Sequence, residues 1–378
     1  PNLTALFDHL GVPTVPTAMS FSVSLDDGAF EYGGGGLPAL FAQGSNLVRP
    51  RFWSMLRDLL RFYREAPGFL RGPPAGGLTL GDYLDAHGYG EPFVADHLLP
   101  MAAAIWSSPA ADMRRHDAAE FIRFCDNHGL LKLAGRPQWR TVAGGSAAYV
   151  DRLAARLGPA VLTGNAARAV RRTGDGVLVE DARGEVRRFD HVVVATHAPQ
   201  ALALLADADG EERRLLSAFA TRPNIAVLHT DAALMPRRRA VWSAWNYLKS
   251  RHSDGGAVSV SYWMNRLQPL ATRTPLFLTL NPACEPRADT VLGEFVYHHP
   301  LFDAATALAR RELWSLQGRR GTWFCGAWFG AGFHEDGLQA GLAVAERLGG
   351  VRRPWTVRDE SGRIHLGAPP RPVAAVAA

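Results

Sequence analysis

Hydrophobic positions follow a helical period in the first third of the chain and an alternating one in much of the rest, with the change near residue 139. Leu3, Leu6, Phe7 and Leu10 share one helical face and Gly11 follows as a stop, so residues 1–12 read as a helix. Residues 19–32 alternate through Phe21, Val23 and Leu25, turn at Asp26-Asp27-Gly28 and return through Phe30 and Tyr32, the pattern of a hairpin. Residues 51–65, RFWSMLRDLLRFYRE, predict a basic amphipathic helix with Trp53, Leu56, Leu60 and Tyr63 near one side. Helical spacing then continues through Tyr83, Leu84, Leu98 and Leu99 to about residue 130.

Beyond residue 139, GGSAAYVDRLAARLG is a glycine turn entering a helix. ARAVRRTGDGVLVEDARGEVRRFDHVVVATHAP reads as three strands, a stop at Pro199 and a helix. Residues 223–231 and 240–264 are strand-rich, and 292–316 include a helix. Thr322-Trp323-Phe324 signals a strand before the glycine-rich FCGAWFGAGFHEDG and an alanine-rich helix. The proline- and alanine-rich tail, 351–378, is expected to be partly disordered.

Bulk properties narrow the function classes. A chain of 378 residues can bury two cores. The formal charge of +5 is carried by arginine, with lysine only at Lys132 and Lys249. The arginines are scattered in pairs such as Arg171-Arg172 and Arg310-Arg311, whereas nucleic-acid binders gather theirs on one face, so no nucleic-acid partner is expected. No uncharged apolar run of about 18 residues occurs, so no membrane-spanning helix is expected. Three distant cysteines, Cys125, Cys284 and Cys325, suit a reducing cytoplasm. Cys125, His128 and His116 are too sparse a set to predict a metal site.

Two motifs fail on context. Gly34-x-Gly36-x-x-Ala39 has the dinucleotide spacing, but a tryptophan-bearing basic helix follows where a βαβ unit would need an acid-terminated strand. Gly144-x-Ser146-x-Ala148 follows a poor core strand, so a nucleophile elbow is not expected. His334 lacks a second histidine four residues on, since Leu338 is there, which removes the zinc-protease motif. What remains is the glycine pattern. Gly337, Gly341 and Ala345 recur every four residues, leaving one helix face bare for close approach of a strand or ligand. The helix start offers free N–H groups. Glu335 and Asp336 either cap those groups or meet a ribose-type hydroxyl or a flavin edge; they would repel a phosphate.

CGAWFGAGFHEDGLQAGLAVAERLG resembles the C-terminal flavin-binding segment of FAD-dependent amine-oxidase-type oxidoreductases, and more closely a bacterial branch of predicted NAD/FAD-binding, flavin-containing amine oxidoreductases. HTDAALMP (229–236), SAWNY (243–247), SYWMNRLQPL (261–270), TLNP (279–282) and PWTVRDESGRI (354–364) carry the same resemblance. It implies an α/β fold: an FAD/NAD(P)-binding, glutathione-reductase-like domain of amine-oxidase type, 140–205 and 317–350, and a mixed-sheet and helical substrate domain, 1–139 and 206–316. In the family a G-x-G-x-x-G βαβ unit precedes a segment like PNLTALFDHLGV, so the chain is expected to be an N-terminally truncated form lacking roughly 50–70 residues.

Residue by residue, the resemblance places Gly326 and Ala327 near the FAD pyrophosphate. It places Gly332, Phe333 and His334 under the isoalloxazine, with the His334 N–H toward flavin O2, and Glu335, Asp336 and Gly337 at the adjoining helix start. Ala167 matches a strand residue on the adenine side, and Ala195 and Thr196 a strand end crossing the cofactor. The expected substrate pocket comprises His229, Trp245, Asn246, Tyr247, Tyr262, Trp263 and Asn265; no catalytic base is assigned. The family lysine near flavin N5 has no counterpart on the strand Asn224-Ile225-Ala226-Val227-Leu228-His229. The resemblance thus implies an FAD enzyme taking a hydride from a C–H bond of an amine or lipid-acyl substrate at flavin N5. One alternative is an acyl-chain desaturating flavoprotein of cyclopropane or methyl fatty-acid metabolism; another is a non-catalytic remnant binding lipid or a partner. A peripheral membrane contact through 51–65 accompanies the lipid reading.

Overall fold

The computed structural model describes residues 1–72, 77–250 and 259–367. They form two compact units. The first comprises Pro1–Pro13, Ser146–Thr221 and Ala305–Ala378; the second comprises Thr14–Gly145 and Arg222–Ala304. In chain order the strands are β1 (Thr14–Pro16), β2 (Phe21–Leu25), β3 (Phe30–Gly33), β4 (Arg140–Val142), β5 (Ala167–Thr173), β6 (Gly176–Asp181) and β7 (Val186–Phe189). They continue as β8 (Val192–Val194), β9 (Thr221–His229), β10 (Trp245–Lys249), β11 (Ser259–Trp263), β12 (Phe277–Leu280), β13 (Val291–Pro300) and β14 (Thr322–Phe324).

The second unit is built on a seven-stranded mixed sheet, ordered β13-β9-β12-β11-β10-β2-β3. The β2–β3 hairpin forms as expected. Asp26, Asp27 and Gly28 all take positive φ, which short polar residues and glycine tolerate in a tight turn. Helix Pro50–Phe69 covers this end of the sheet, burying Phe52, Met55, Phe62 and Ala66; Phe52 packs edge-on against Phe30 and Tyr32. A π-helical turn, Val94–Leu98, runs into helix Leu99–Trp106. It places His97 beside Tyr32, whose hydroxyl donates to the Asp96 carbonyl and lies 2.9 Å from His97 Nδ1.

The first unit combines an antiparallel meander, β5-β6-β7, with a parallel pair, β8-β14. Val170, Val177, Val194, Phe324, Leu313 and Val344 are among its core residues. Helix His334–Arg347 follows β14, and helix Asn2–Leu10, closed by Gly11 at φ 63°, packs against it. The Glu335 carboxylate makes that contact: it accepts from the Asn2 and Leu3 N–H groups and from Asn2 Nδ2, at 2.7–3.0 Å.

Several boundaries differ from the sequence reading. Residues 1–13, 206–221 and 305–316 fall in the first unit rather than with the substrate domain. Leu215, Leu216, Ala309 and Leu313 are buried in its core, a tertiary choice that local periodicity does not encode. Residues 140–145 fall in the second unit because β4 pairs with β1. Within the tail expected to be partly disordered, the segment 351–367 is packed: Arg353 binds Glu346 and Asn2, Trp355 Nε1 donates to Asn2, and Ile364 is buried. Residues 368–378 lie outside the described residues. The 292–316 region holds the expected helix, Ala304–Glu312, but also the ten-residue strand β13.

Candidate functional site

In the first unit, β8 and β14 run parallel, and the chain leaves β14 through a tight glycine turn. Cys325 N–H still pairs with the Val194 carbonyl, and Trp328 Nε1 donates to the Thr196 carbonyl at 3.0 Å. These bonds hold the Ala195-Thr196 strand end beside the turn. Gly326 sits at φ 152°, and a Cβ there would meet Trp328 Nε1 at 2.5 Å. Gly332 sits at φ 95°, a conformation L side chains rarely adopt. A Cβ on Gly337 would lie 3.3 Å from the Ala327 nitrogen, so glycine lets the helix lie close against the turn. Ala327 accepts from the Gly330 and Gly332 N–H groups, which closes the loop on itself.

The helix start presents two buried carboxylates and a set of N–H groups. Asp336 is fully buried and accepts from the Phe333 N–H at 2.9 Å, with Arg363 3.4 Å away. Burial raises its pKa against those contacts. Glu335 is turned to helix Asn2–Leu10, as described above, and Gln339 also donates to it. Burial would raise its pKa, but the donors from Gln339, Leu3 and Asn2 win and hold it at about 2. Both carboxylates, named from sequence as cofactor residues, are therefore engaged by the protein itself. The His334 and Glu335 N–H groups have no partner among the described residues. Two aligned N–H donors at the start of a 14-residue helix, over a glycine floor and beside an exposed strand end, suit a carbonyl-type oxygen of a flat cofactor. The donor set fits a flavin. Ala167, at the start of β5 and exposed, lies at a bulge between Ala167 and Ala169.

In the second unit, strand alternation splits the expected pocket residues between two faces. Phe21, Trp245, Tyr262, Leu278 and Leu228 are register partners on β2, β10, β11, β12 and β9, and so form one transverse row. All five are half-buried. Trp245 stacks edge-on against Tyr262, and its Nε1 is buried without an acceptor among the described residues. Burial raises Tyr262 to about 12, with the Ser107 hydroxyl opposing. Tyr247 shares this face but is buried in the core, where burial lifts it to about 12. Sequence reading missed Phe21, Leu278 and Leu228, since a row across five strands appears only once register is fixed.

His229 and Asn246 face the other way, on a fully buried polar ladder. Ser22 Oγ donates to Asn246 Oδ1 at 2.7 Å, and Asn246 Nδ2 donates to the Ser261 carbonyl. Ser261 and Thr279 hydroxyls meet at 2.7 Å, and Thr279 meets His229 Nε2 at 2.8 Å. The Asp231 N–H donates to His229 Nδ1, so the imidazole proton resides on Nε2. The chain of donation then runs from His229 through Thr279 and Ser261 to the Leu234 carbonyl. Burial lowers the His229 pKa, with Asp231 opposing. These side chains do not reach the Trp245 face. Trp263 is on the ladder side, edge-on to Trp242. Asn265 braces a loop, accepting from the Leu276 N–H and donating to the Thr274 carbonyl.

The glycine motif at 34–39 leads from β3 into one helical turn, and Ser146 starts helix Ala147–Leu157 after two positive-φ glycines. Among the described residues no group of His, Cys, Asp and Glu could hold a metal ion, and no helix is long and apolar enough to cross a membrane.

The family model for flavin-containing amine oxidoreductases matches residues 1–230, more than half the chain. The chain belongs to that family. This family member is an FAD-dependent oxidoreductase by class, and its cofactor is FAD. No curated protein matches it by sequence. Its fold is shared with solved structures of low identity. A putative protoporphyrinogen oxidase from Exiguobacterium sp. 255-15 aligns with TM-score 0.62 at 14% identity, covering 92% of this chain and 84% of that one. Cyclohexylamine oxidase from Brevibacterium oxydans IH-35A aligns with TM-score 0.57 at 14%, covering 92% and 85%. A fatty acid isomerase from P. acnes that produces CLA aligns with TM-score 0.55 at 14%, covering 86% and 78%.

Proposed function

We propose that this flavoprotein oxidises a C–H bond of an apolar, acyl-type substrate, with the first unit binding FAD and the second binding substrate. The observation that carries the substrate class is the transverse row Phe21, Trp245, Tyr262, Leu278 and Leu228, which contains no charged side chain. An ammonium substrate would favour a carboxylate beside the aromatic rings, and none of the five residues is one; a hydrocarbon chain favours an uncharged wall. The unpaired Trp245 Nε1 supplies one donor for a carbonyl or carboxylate on the substrate. β9 also lacks lysine throughout.

For the cofactor, the N–H groups of His334 and Glu335 donate to flavin, Gly326, Ala327, Gly332 and Gly337 give it close backbone approach, and Phe333 adjoins it. Ala195, Thr196 and Ala167 contribute strand-end backbone. When bound, FAD takes up the two electrons of the broken C–H bond. The chain's own part is to orient that bond, exclude water and donate hydrogen bonds from fixed dipoles.

An amine substrate is the second reading, favoured by family membership. Anaerobic mixing of the holoprotein with a panel of primary amines and a panel of acyl lipids distinguishes the two. Bleaching of visible flavin absorbance by acyl lipids alone is the expected result; bleaching by amines alone would overturn the acyl assignment. A purified protein that takes up no flavin would favour a lipid-binding remnant.

A further inference from the structure

Helix Pro50–Phe69 cannot use its main apolar face for anything but the core, because Phe52, Met55, Phe62 and Ala66 are buried there. What it leaves outside is a different stripe. Trp53, Arg57, Leu60 and Arg64 follow one another at helical spacing and are all exposed. The arginines thus alternate with the apolar residues on one ridge, rather than occupying separate sides. Residues 49–65 carry five arginines; Arg51 is paired with Glu91 and Asp96, whereas Arg57, 3.4 Å from Asp58, and Arg64, 3.0 Å from Glu65, keep their side chains largely in solvent.

The ridge continues into an uncharged segment. Residues 32–48 contain no charged side chain. Within it Leu37 is 69% exposed and Val48 82%, values far from those of a core residue. The two parts are contiguous: Phe41 lies one helical turn after Leu37 and packs against Trp53 at 6.0 Å, and Trp53 Nε1 donates to the Leu47 carbonyl. An indole half in and half out, with an aliphatic tip beside it and arginines behind, matches the boundary between acyl chains and headgroups.

We infer that the Leu37–Val48 tip and the Trp53–Arg64 ridge form a surface that docks on an anionic lipid bilayer. The apolar tip enters the acyl boundary and the arginines lie at the headgroup phosphates. Charge complementarity selects this occupant: an apolar protein partner would gain nothing from arginines set within the apolar stripe, whereas an anionic bilayer satisfies both. The inference deepens the acyl-substrate reading and rests on it for the purpose of the surface, since such a substrate resides in membranes.

The test is co-sedimentation of the full protein with vesicles of phosphatidylcholine alone and of phosphatidylcholine with phosphatidylserine. Parent protein is expected to bind the mixed vesicles and to release with added salt. Arg57→Glu with Arg64→Glu should weaken binding by about tenfold or more, Arg57→Lys with Arg64→Lys should retain it, and Val48→Asp should lower it without altering the far-UV spectrum. Equal sedimentation of parent and charge-reversed protein, equal affinity for neutral vesicles, or a self-association that Val48→Asp abolishes in lipid-free solution would overturn the proposal. Flavin bleaching is measured separately, so failure of the substrate reading leaves the vesicle result intact and the reverse.

Discussion

At Glu335, one carboxylate ties two helices of the first unit together. It satisfies the first N–H groups of helix Asn2–Leu10 across more than three hundred residues of sequence. Its folded value of about 2 lies below the ordinary carboxylate value of about 4.3. The stability it contributes is therefore fully present above that ordinary value and is lost as pH falls toward 2. Glu335→Ala should cost on the order of 2–3 kcal/mol in urea unfolding at neutral pH and flatten the acid end of the stability profile. His229 acts at milder pH. Its folded pKa is lowered, as burial also lowers that of His97 to about 4, so the contribution of both is present above the unfolded value of about 6.5 and declines as pH falls below it. A stability profile flat from neutral pH down to 4 would contradict this.

At the scale of the element, the seven-stranded sheet shows how far the chain could be read in advance. The hairpin at 21–33, the strand at 322–324, the glycine turn and the helix after it were all legible, because period and punctuation are local. The two faces were not. Trp245 and Asn246 are neighbours in sequence and opposites in space, and only register decides that Trp245 joins Phe21 and Tyr262 while Asn246 joins Ser22 and Ser261. A run of serine, threonine and asparagine on separate strands gave no warning of a continuous hydrogen-bonded ladder. Thr279→Val tests the ladder: it would leave the His229 Nε2–H and Ser261 Oγ short of a partner in a buried site, costing about 1–3 kcal/mol in denaturant unfolding. An unchanged midpoint would mean that the contacts carry little. On the glycine turn, Gly337→Val would press on Ala327 and should lower the flavin content of purified protein while the fold persists by far-UV spectrum.

For the whole molecule, family and fold class were legible from motifs spread along the chain, whereas the boundaries between the two units were not. Helix Asn2–Leu10 joins the first unit through Glu335 and the Phe7–Tyr149 ring contact, and helix Ala304–Glu312 through buried Ala309, all made by residues distant in sequence. The carboxylates Glu335 and Asp336 drew attention as chemistry, yet their contacts are structural. The backbone between them and Gly332 carries the proposed cofactor contact. That proposal can be tested one atom group at a time. His334 is the first residue of its helix and follows Phe333 at φ −112°, ψ 168°, a backbone setting that accepts proline. His334→Pro removes the N–H and keeps the helix; His334→Ala removes the imidazole and keeps the N–H. FAD titration followed by visible absorbance should give His334→Ala the parental affinity and weaken His334→Pro by about tenfold, the value of one lost hydrogen bond. Parental affinity in His334→Pro, or loss in His334→Ala alone, would contradict a flavin held by the backbone of this turn.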